Sequence, residues 1–362
     1  MSQRRQPDDL DLSILSALNR LGGKASAELL SELLGRPART IRYRLSRLKA
    51  NGYLKFLYAQ THDAKLGLGD VVLFVDLAPG MSDISRVFRE VPLFYVHAST
   101  YGCYNGHVVH MTYPLSIPDA PVSVMSVLHK RGLITKYHLF ETRDFMSTAG
   151  DLERLDVKRG WNWDWKQWVE DCKRKIRGNV HAGINFQLDM SRAKFDQKDI
   201  DILRILKSDA GITLRELGQE IGLSQTQINK RIKRLEREGV IIDYRWIYED
   251  YQHPVYVYCL FTCEGLNDPI LSCLLGLPFP KELAAESETS YAFRVKLYPS
   301  DIAGFFQGLD VIRKHFKSYF VQIAHRVYNA PMGQLYMMFD SEKQDWNVPF
   351  DQYLSAIETM NL

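Results

Sequence analysis

Apolar residues recur at helical spacing in two stretches of this chain that can be laid over each other. Ile41, Leu45 and Leu48 stand at i, i+4 and i+7 in TIRYRLSRLKANGYL (40–54), and Ile228, Ile232 and Leu235 do so in QINKRIKRLEREGVI (227–241). Each trio forms one buried helical stripe. The offset of 187 residues also pairs Gly52 with Gly239, Gly35 with Gly222, Leu30 with Leu217 and Ser26 with Thr213. Further on, WNWDWKQWV (161–169) matches WNVPFDQYL (346–354) at an offset of 185. The chain reads as a tandem duplication.

Each copy opens with three helical patterns. In the second copy these run over 196–208, 213–221 and 224–238. Thr213 with Glu216, and Ser224 with Gln227, have the spacing of a capping box. Gly222 suits the turn between the second and third helices, and Gly239 a stop for the third. In the first copy Pro37 takes the place of Ser224, where a first helical turn loses no hydrogen bond. A strand-like run follows each third helix, at 53–59 and 240–247, and suits a wing. Period-2 and period-3.6 patterns then alternate as β-α-β-β-α-β in both copies, a ferredoxin-like order.

The expected fold class is α+β, with two winged helix-turn-helix units and two ferredoxin-like domains in tandem. The expected divisions are a winged helix-turn-helix over 1–60, a ferredoxin-like domain over 66–145 and a Trp-containing helical extension over 146–190. The second copy follows as 191–250, 251–330 and a C-terminal helical extension over 331–362.

Composition adds little to this. The 362 residues are 46% hydrophobic and 25% charged, with a net charge of +3, too small to argue for nucleic acid by itself. The N-terminus lacks the apolar core of a signal peptide, and residues 91–118, free of charged residues, are broken by Pro, Gly, Asn and His. Five cysteines (103, 172, 259, 263, 273) show no paired metal spacing and fit a reduced inventory. A cytoplasmic protein with no membrane span, metal or cofactor is expected.

Charge placement is more telling. Residues 36–49 hold six Lys or Arg and no acid, and residues 224–237 hold five against one. Opposite the first buried stripe lie Arg39, Tyr43, Ser46 and Arg47, flanked by Arg36, Thr40 and Arg42. Opposite the second lie Thr226, Lys230, Lys233 and Arg234, with Ser224, Gln225, Gln227 and Asn229 beside them. Such helices fit the major groove of double-stranded DNA, polar residues near the N-terminus reaching bases and basic ones neutralising phosphates.

DIDILRIL (199–206) and TLRELGQEIGLSQTQINKRIKRLEREGVI (213–241), with weaker counterparts LDLSILSAL and TIRYRLSRLKANGYL, resemble the Lrp/AsnC (feast/famine) family of bacterial and archaeal regulators. The resemblance implies transcriptional control, association of the ferredoxin-like domains as a homodimer or an intrachain pseudo-dimer, and a small-molecule effector. The family's pocket lies near a Gly-containing turn between strands, which points to Gly102 and Gly106. Copy two has SETSY (287–291) there, without glycine.

Two other functions compete. A non-DNA-binding assembly protein would use the same helices as solvated faces. Siroheme decarboxylases of haem synthesis also resemble Lrp/AsnC proteins and come as paired halves; His97, Tyr101, Tyr104 and His107 are the residues that reading would use. The regulator, a protein without enzymatic activity, is the preferred expectation. His107 and His110, three apart on a strand, should face opposite ways. Cys259 and Cys263 read as small core residues. Trp161, Trp165, Trp168 and Cys172 read as one packed helical stripe, with Trp346, Phe350, Tyr353 and Leu354 as its counterpart.

Overall fold

The computed structural model describes residues 6–81, 83–156, 160–180, 183–188, 191–248, 253–264, 267–329 and 333–361. The first copy begins with α1 (Asp9–Leu21), α2 (Ala27–Leu34) and α3 (Ala38–Ala50), followed by β1 (Leu54–Thr61). Asp8 and Asp11 cap α1 reciprocally, Ser26 caps α2, and α3 starts behind Pro37 without a side-chain cap. Then come β2 (Leu68–Leu77), α4 (Ser85–Glu90), β3 (Phe94–Gly102), β4 (Gly106–Pro114), α5 (Ala120–Lys130), β5 (Ile134–Thr142) and β6 (Asp144–Thr148). A two-residue pair, β7 (Leu155–Asp156) and β8 (Gly160–Trp161), leads into α6 (Trp165–Arg177).

The second copy repeats the order as α7 (Gln197–Ser208), α8 (Leu214–Ile221), α9 (Gln225–Arg237) and β9 (Ile241–Tyr248). All three helices carry capping boxes, at Asp196/Asp199, Thr213/Glu216 and Ser224/Gln227. Gly222 ends α8 in the left-handed region at φ +74°, as Gly35 ends α2 at +60°, a conformation open to glycine at little cost. β10 (Val255–Thr262), α10 (Asn267–Leu275), β11 (Lys281–Ala285), β12 (Ser290–Leu297), α11 (Ile302–Ile312) and β13 (Ser318–Asn329) follow. The pair β14 (Phe339–Asp340) and β15 (Asp345–Trp346) precedes α12 (Phe350–Thr359).

The strands after the third helices do not fold back as hairpin wings. β1 and β9 pair antiparallel with each other, Tyr58 opposite Arg245. Those two residues are related by the repeat offset, so the pseudo-two-fold axis passes between them.

The ferredoxin-like halves merge into one nine-stranded sheet, ordered β5-β2-β4-β3-β13-β10-β12-β11-β6. The seam is the antiparallel β3–β13 pair, Thr100 opposite Ala324 and Gly102 opposite Gln322. β6 continues β5 after Arg143 yet pairs with β11, so the outer edges of the sheet meet and it closes as a barrel. Closure removes the unpaired edges that invite aggregation. The intrachain pseudo-dimer is thus built into the sheet.

The copies also exchange their extensions. Trp165 and Trp168 of α6 lie on α11 of copy two where Gly304 and Gly308 leave room: a Cβ at Gly308 would stand 1.7 Å from the Trp168 ring. In the reverse direction α12 packs on α5 of copy one, Arg131 donating to the carbonyls of Ile357 and Met360 at 2.5 and 2.7 Å. The helix-turn-helix units are tied in the same crossed way. Gly23 donates to the Tyr244 carbonyl at 2.6 Å and Ala210 to the Leu57 carbonyl at 2.7 Å, each residue shifted by the same 187 positions. No helix among the described residues is long and apolar enough to cross a membrane.

Candidate functional sites: the recognition helices and the barrel mouth

The third helices expose most of the residues expected to meet DNA. Arg36, Arg39, Arg42, Tyr43 and Ser46 are exposed on or just before α3, and Thr40 is partly buried. Arg42 leans back onto Glu28 of α2. On α9, Gln225, Thr226, Lys230 and Lys233 are exposed, while Asn229 is partly buried. Ser224 and Gln227 are exposed too, but their side chains bond each other's backbone amides in the capping box.

Arg47 and Arg234 lie elsewhere than expected. Arg47 turns inward onto Asp11, and Arg234 onto Asp199, carboxylates that are 1% and 0% exposed. Arg44 and Arg231 complete each cluster, Arg231 reaching both Asp196 and Asp199 at 2.8 Å. A buried carboxylate needs such partners, because an unpaired one is strongly disfavoured. These arginines therefore join the third helix to the first.

A second concentration of polar groups lies inside the barrel, at the end facing β1 and β9. Along β2 and β4, Asp70 stands opposite Thr112 and Val72 opposite His110; along β10 and β12, Tyr256 stands opposite Lys296 and Tyr258 opposite Arg294. Tyr95 donates to Asp70 at 2.7 Å, His110 Nε2 lies 3.2 Å from the Tyr258 hydroxyl, and Arg294 pairs with Glu282 at 3.0 Å. Burial pushes the Asp70 carboxyl up to about 7 against the hydrogen bond from Tyr95. Burial also drives the His110 imidazole well below its ordinary range, leaving it neutral. Burial opposes the Arg294 charge, and the Glu282 carboxylate more than restores it. The roof is the β1–β9 pair: Arg245 donates to Ser147 Oγ and O at 2.8 and 2.6 Å, and Gln60 to Ser147 Oγ at 3.1 Å. The opposite end of the barrel is closed by Phe74, Tyr104, His138 and Phe320.

Sequence reasoning missed this cluster. Arg294 and Lys296 alternate with buried Phe293, Val295 and Leu297, the pattern of a strand with one wet face. Only closure of the sheet turns that wet face inward.

Of the four residues proposed for the enzymatic alternative, His97 and His107 come together and Tyr101 and Tyr104 lie apart from them. His97 and His107 face outward under Phe88 of α4, their ring centroids 6.3 Å apart. Burial, with the neighbouring His107 and Arg89, lowers His97 to about 4. Tyr101 is exposed and stacks on His325, whereas Tyr104 belongs to the plug at the far end. His110 does point the opposite way from His107.

Gly102 and Gly106 are occupied by the chain itself. A Cβ on Gly102 would meet Gln322 Oε1 at 2.5 Å, and one on Gly106 the Val75 carbonyl at 2.5 Å. The close approach that an effector was expected to make there is made by β13 and β2.

The winged helix-turn-helix DNA-binding family model matches residues 7–55 and again 195–242. Over 51 residues the chain is 41% identical to the HTH-type transcriptional regulator LrpC of Bacillus subtilis, covering 14% of this chain and 35% of that one. Over 109 residues it is 41% identical to the leucine-responsive regulatory protein of Rhizobium meliloti, covering 30% of this chain and 60% of that one. The match thus spans about a third to three fifths of those relatives. The siroheme decarboxylase NirDL aligns across 97% of this chain and 100% of its own, with a TM-score of 0.59 and 11% identity. A second structure of it, in co-complex with an iron-uroporphyrin III analogue, gives 0.57 and 10%. At that identity the likeness is one of fold. It overturns the expectation of a protein without enzymatic activity, because the fold of nearly the whole chain aligns with that of the decarboxylase, while the regulator relatives align over much less of the chain. In its two winged helix-turn-helix stretches the chain is similar to Lrp/AsnC-type regulators, and it carries two such units and two ferredoxin-like domains in one polypeptide.

Proposed function

We propose that the chain is a sequence-specific regulator that binds double-stranded DNA through the N-terminal halves of α3 and α9. The observation that carries this is the solvent-open polar surface of both helices, where Arg36, Arg39, Arg42, Lys230 and Lys233 are exposed, Arg42 beside Glu28. Electrophoretic shift with DNA from upstream of its own reading frame tests it. Five phosphate contacts, at about 0.9 in log–log slope each, weaken binding about 500-fold between roughly 50 and 200 mM salt. Affinity that ignores both salt and Arg39→Ala would overturn the reading.

A second reading is favoured by the whole-chain likeness to NirDL, which includes both extensions. In it the chain decarboxylates a siroheme-like tetrapyrrole, each step replacing a carboxylate by a proton and releasing carbon dioxide. Anaerobic incubation of the purified chain with siroheme, followed by mass spectrometry, tests it. Loss of carbon dioxide from the pigment supports the reading, and unchanged siroheme counts against it.

A further inference from the structure

The two walls of the barrel mouth differ where the duplication should have made them alike. The strand pairings place His110 and Arg294 at equivalent positions, and likewise Thr112 with Lys296, Asp70 with Tyr256 and Val72 with Tyr258. Copy two has set two cations at i and i+2 on β12, with the Tyr256 ring about 6 Å from each, Arg294 at 6.0 Å and Lys296 at 5.8 Å. Charges inside a barrel are costly, and an apolar filling like that of the far end would be as stable or more so. Stability therefore does not explain them.

Solvent also reaches them. The Arg294 and Glu282 side chains keep 28% and 24% exposure although alternate residues on both strands are core. Glu282 and Tyr258 engage only part of a guanidinium that carries five N–H donors in a planar fork, the shape that matches a carboxylate. Across the mouth the Asp70 carboxyl accepts from Tyr95 at 2.7 Å, and burial disfavours its charge.

We propose that the barrel mouth binds a carboxylate-bearing small molecule, held by Arg294 and Lys296 of β12 and covered by Arg245 of β9. Its occupancy is transmitted to both recognition helices. β9 follows α9 and β1 follows α3 after three residues each, and the two strands are hydrogen-bonded to each other directly above the mouth. A ligand that draws Arg245 off Ser147 shifts that shared roof. This regulatory half rests on the DNA-binding reading; the binding half does not.

The experiment is titration calorimetry of the full chain with two probes, citrate and uroporphyrin. Binding of at least one probe is expected, weakened at least tenfold by Arg294→Gln and by Lys296→Met, and unaffected by Lys136→Met at the far end of the barrel. Circular dichroism confirms folding, and Lys296→Met carries the comparison if Arg294→Gln unfolds the chain. Citrate alone binding points to a free small acid, and uroporphyrin alone to the carboxylates of a tetrapyrrole. No binding of either at millimolar concentration overturns the site, as does binding that ignores both folded variants. Shift assays with and without the bound probe then read the coupling. Unchanged DNA affinity overturns the regulatory half, whereas a chain that binds probe but never DNA overturns the DNA-binding reading and leaves the site standing.

Discussion

Arg234 donates to the fully buried carboxylate of Asp199, joining the outer helix of the second helix-turn-helix to its first helix. Arg47 and Asp11 repeat the contact in the first copy. Arg234→Ala removes one partner of a buried charge while Arg231 keeps another, so it is expected to destabilise the chain by about 1–3 kcal/mol. Urea unfolding measures this. Arg39→Ala, on the exposed face, should leave the unfolding midpoint in place. Equal midpoints for Arg234→Ala and the parent would show that the pair contributes nothing.

Arg47 and Arg234 also show where a sequence can mislead. They are the one outward-assigned position at which the two recognition helices agree, and that agreement now has a structural cause. Positions that diverge between the copies, such as Arg39 against Thr226, are the exposed ones. The repeat, the caps at Thr213 and Ser224 and the strand–helix order were legible because they are local. What the extensions pack against was not, since periodicity defines a face and not its partner. The i, i+4 glycines of α11, Gly304 and Gly308, were the available hint of a notch for two tryptophans.

That notch supports a prediction. Gly308→Val places branched carbons where the Trp168 ring lies, and nothing nearby can yield without lifting α6 from α11. A cost of about 1–3 kcal/mol, the usual range for overpacking, is expected, with a red shift of tryptophan emission. Retention of both the parent emission and the parent melting temperature would place α6 elsewhere in solution.

Asp70 gives the stability a pH dependence of definite sign. Its carboxyl is near 3.8 when unfolded and is pushed up to about 7 by burial. Between those values the folded chain keeps a proton that the unfolded chain has lost, so this contribution falls as pH rises from about 4 to 7 and is flat above. His97, lowered by burial from 6.5 to about 4, acts oppositely over nearly the same range, stability rising with pH. His110, driven lower still by burial, adds to that rise, and Asp70 offsets part of it. Asp70→Asn removes only the first effect, and its stability should climb between pH 4 and 6.5. Parallel curves for parent and variant would remove Asp70 from the account.

The DNA site should be non-palindromic. Symmetric regulators place identical helices in successive major grooves, and their operators mirror that symmetry. Here the pseudo-two-fold axis between Tyr58 and Arg245 relates two helices whose exposed surfaces differ: Arg39 corresponds to Thr226, Arg42 to Asn229, Tyr43 to Lys230 and Ser46 to Lys233. Arginine favours guanine and asparagine favours adenine, each good bidentate contact discriminating by about 1–3 kcal/mol. The two ferredoxin-like halves already pair with each other within one chain, at β3–β13 and at β6–β11, so a second chain is not required to join them. One polypeptide thus presents two unlike readers in a fixed relation. Footprinting of single-helix variants measures this. Arg39→Ala is expected to relax sequence preference at one end of the protected region and Asn229→Ala at the other, each leaving the opposite end as in the parent. Identical changes from both variants would mean that the two helices read equivalent half-sites, and the asymmetry of their surfaces would then play no part in recognition.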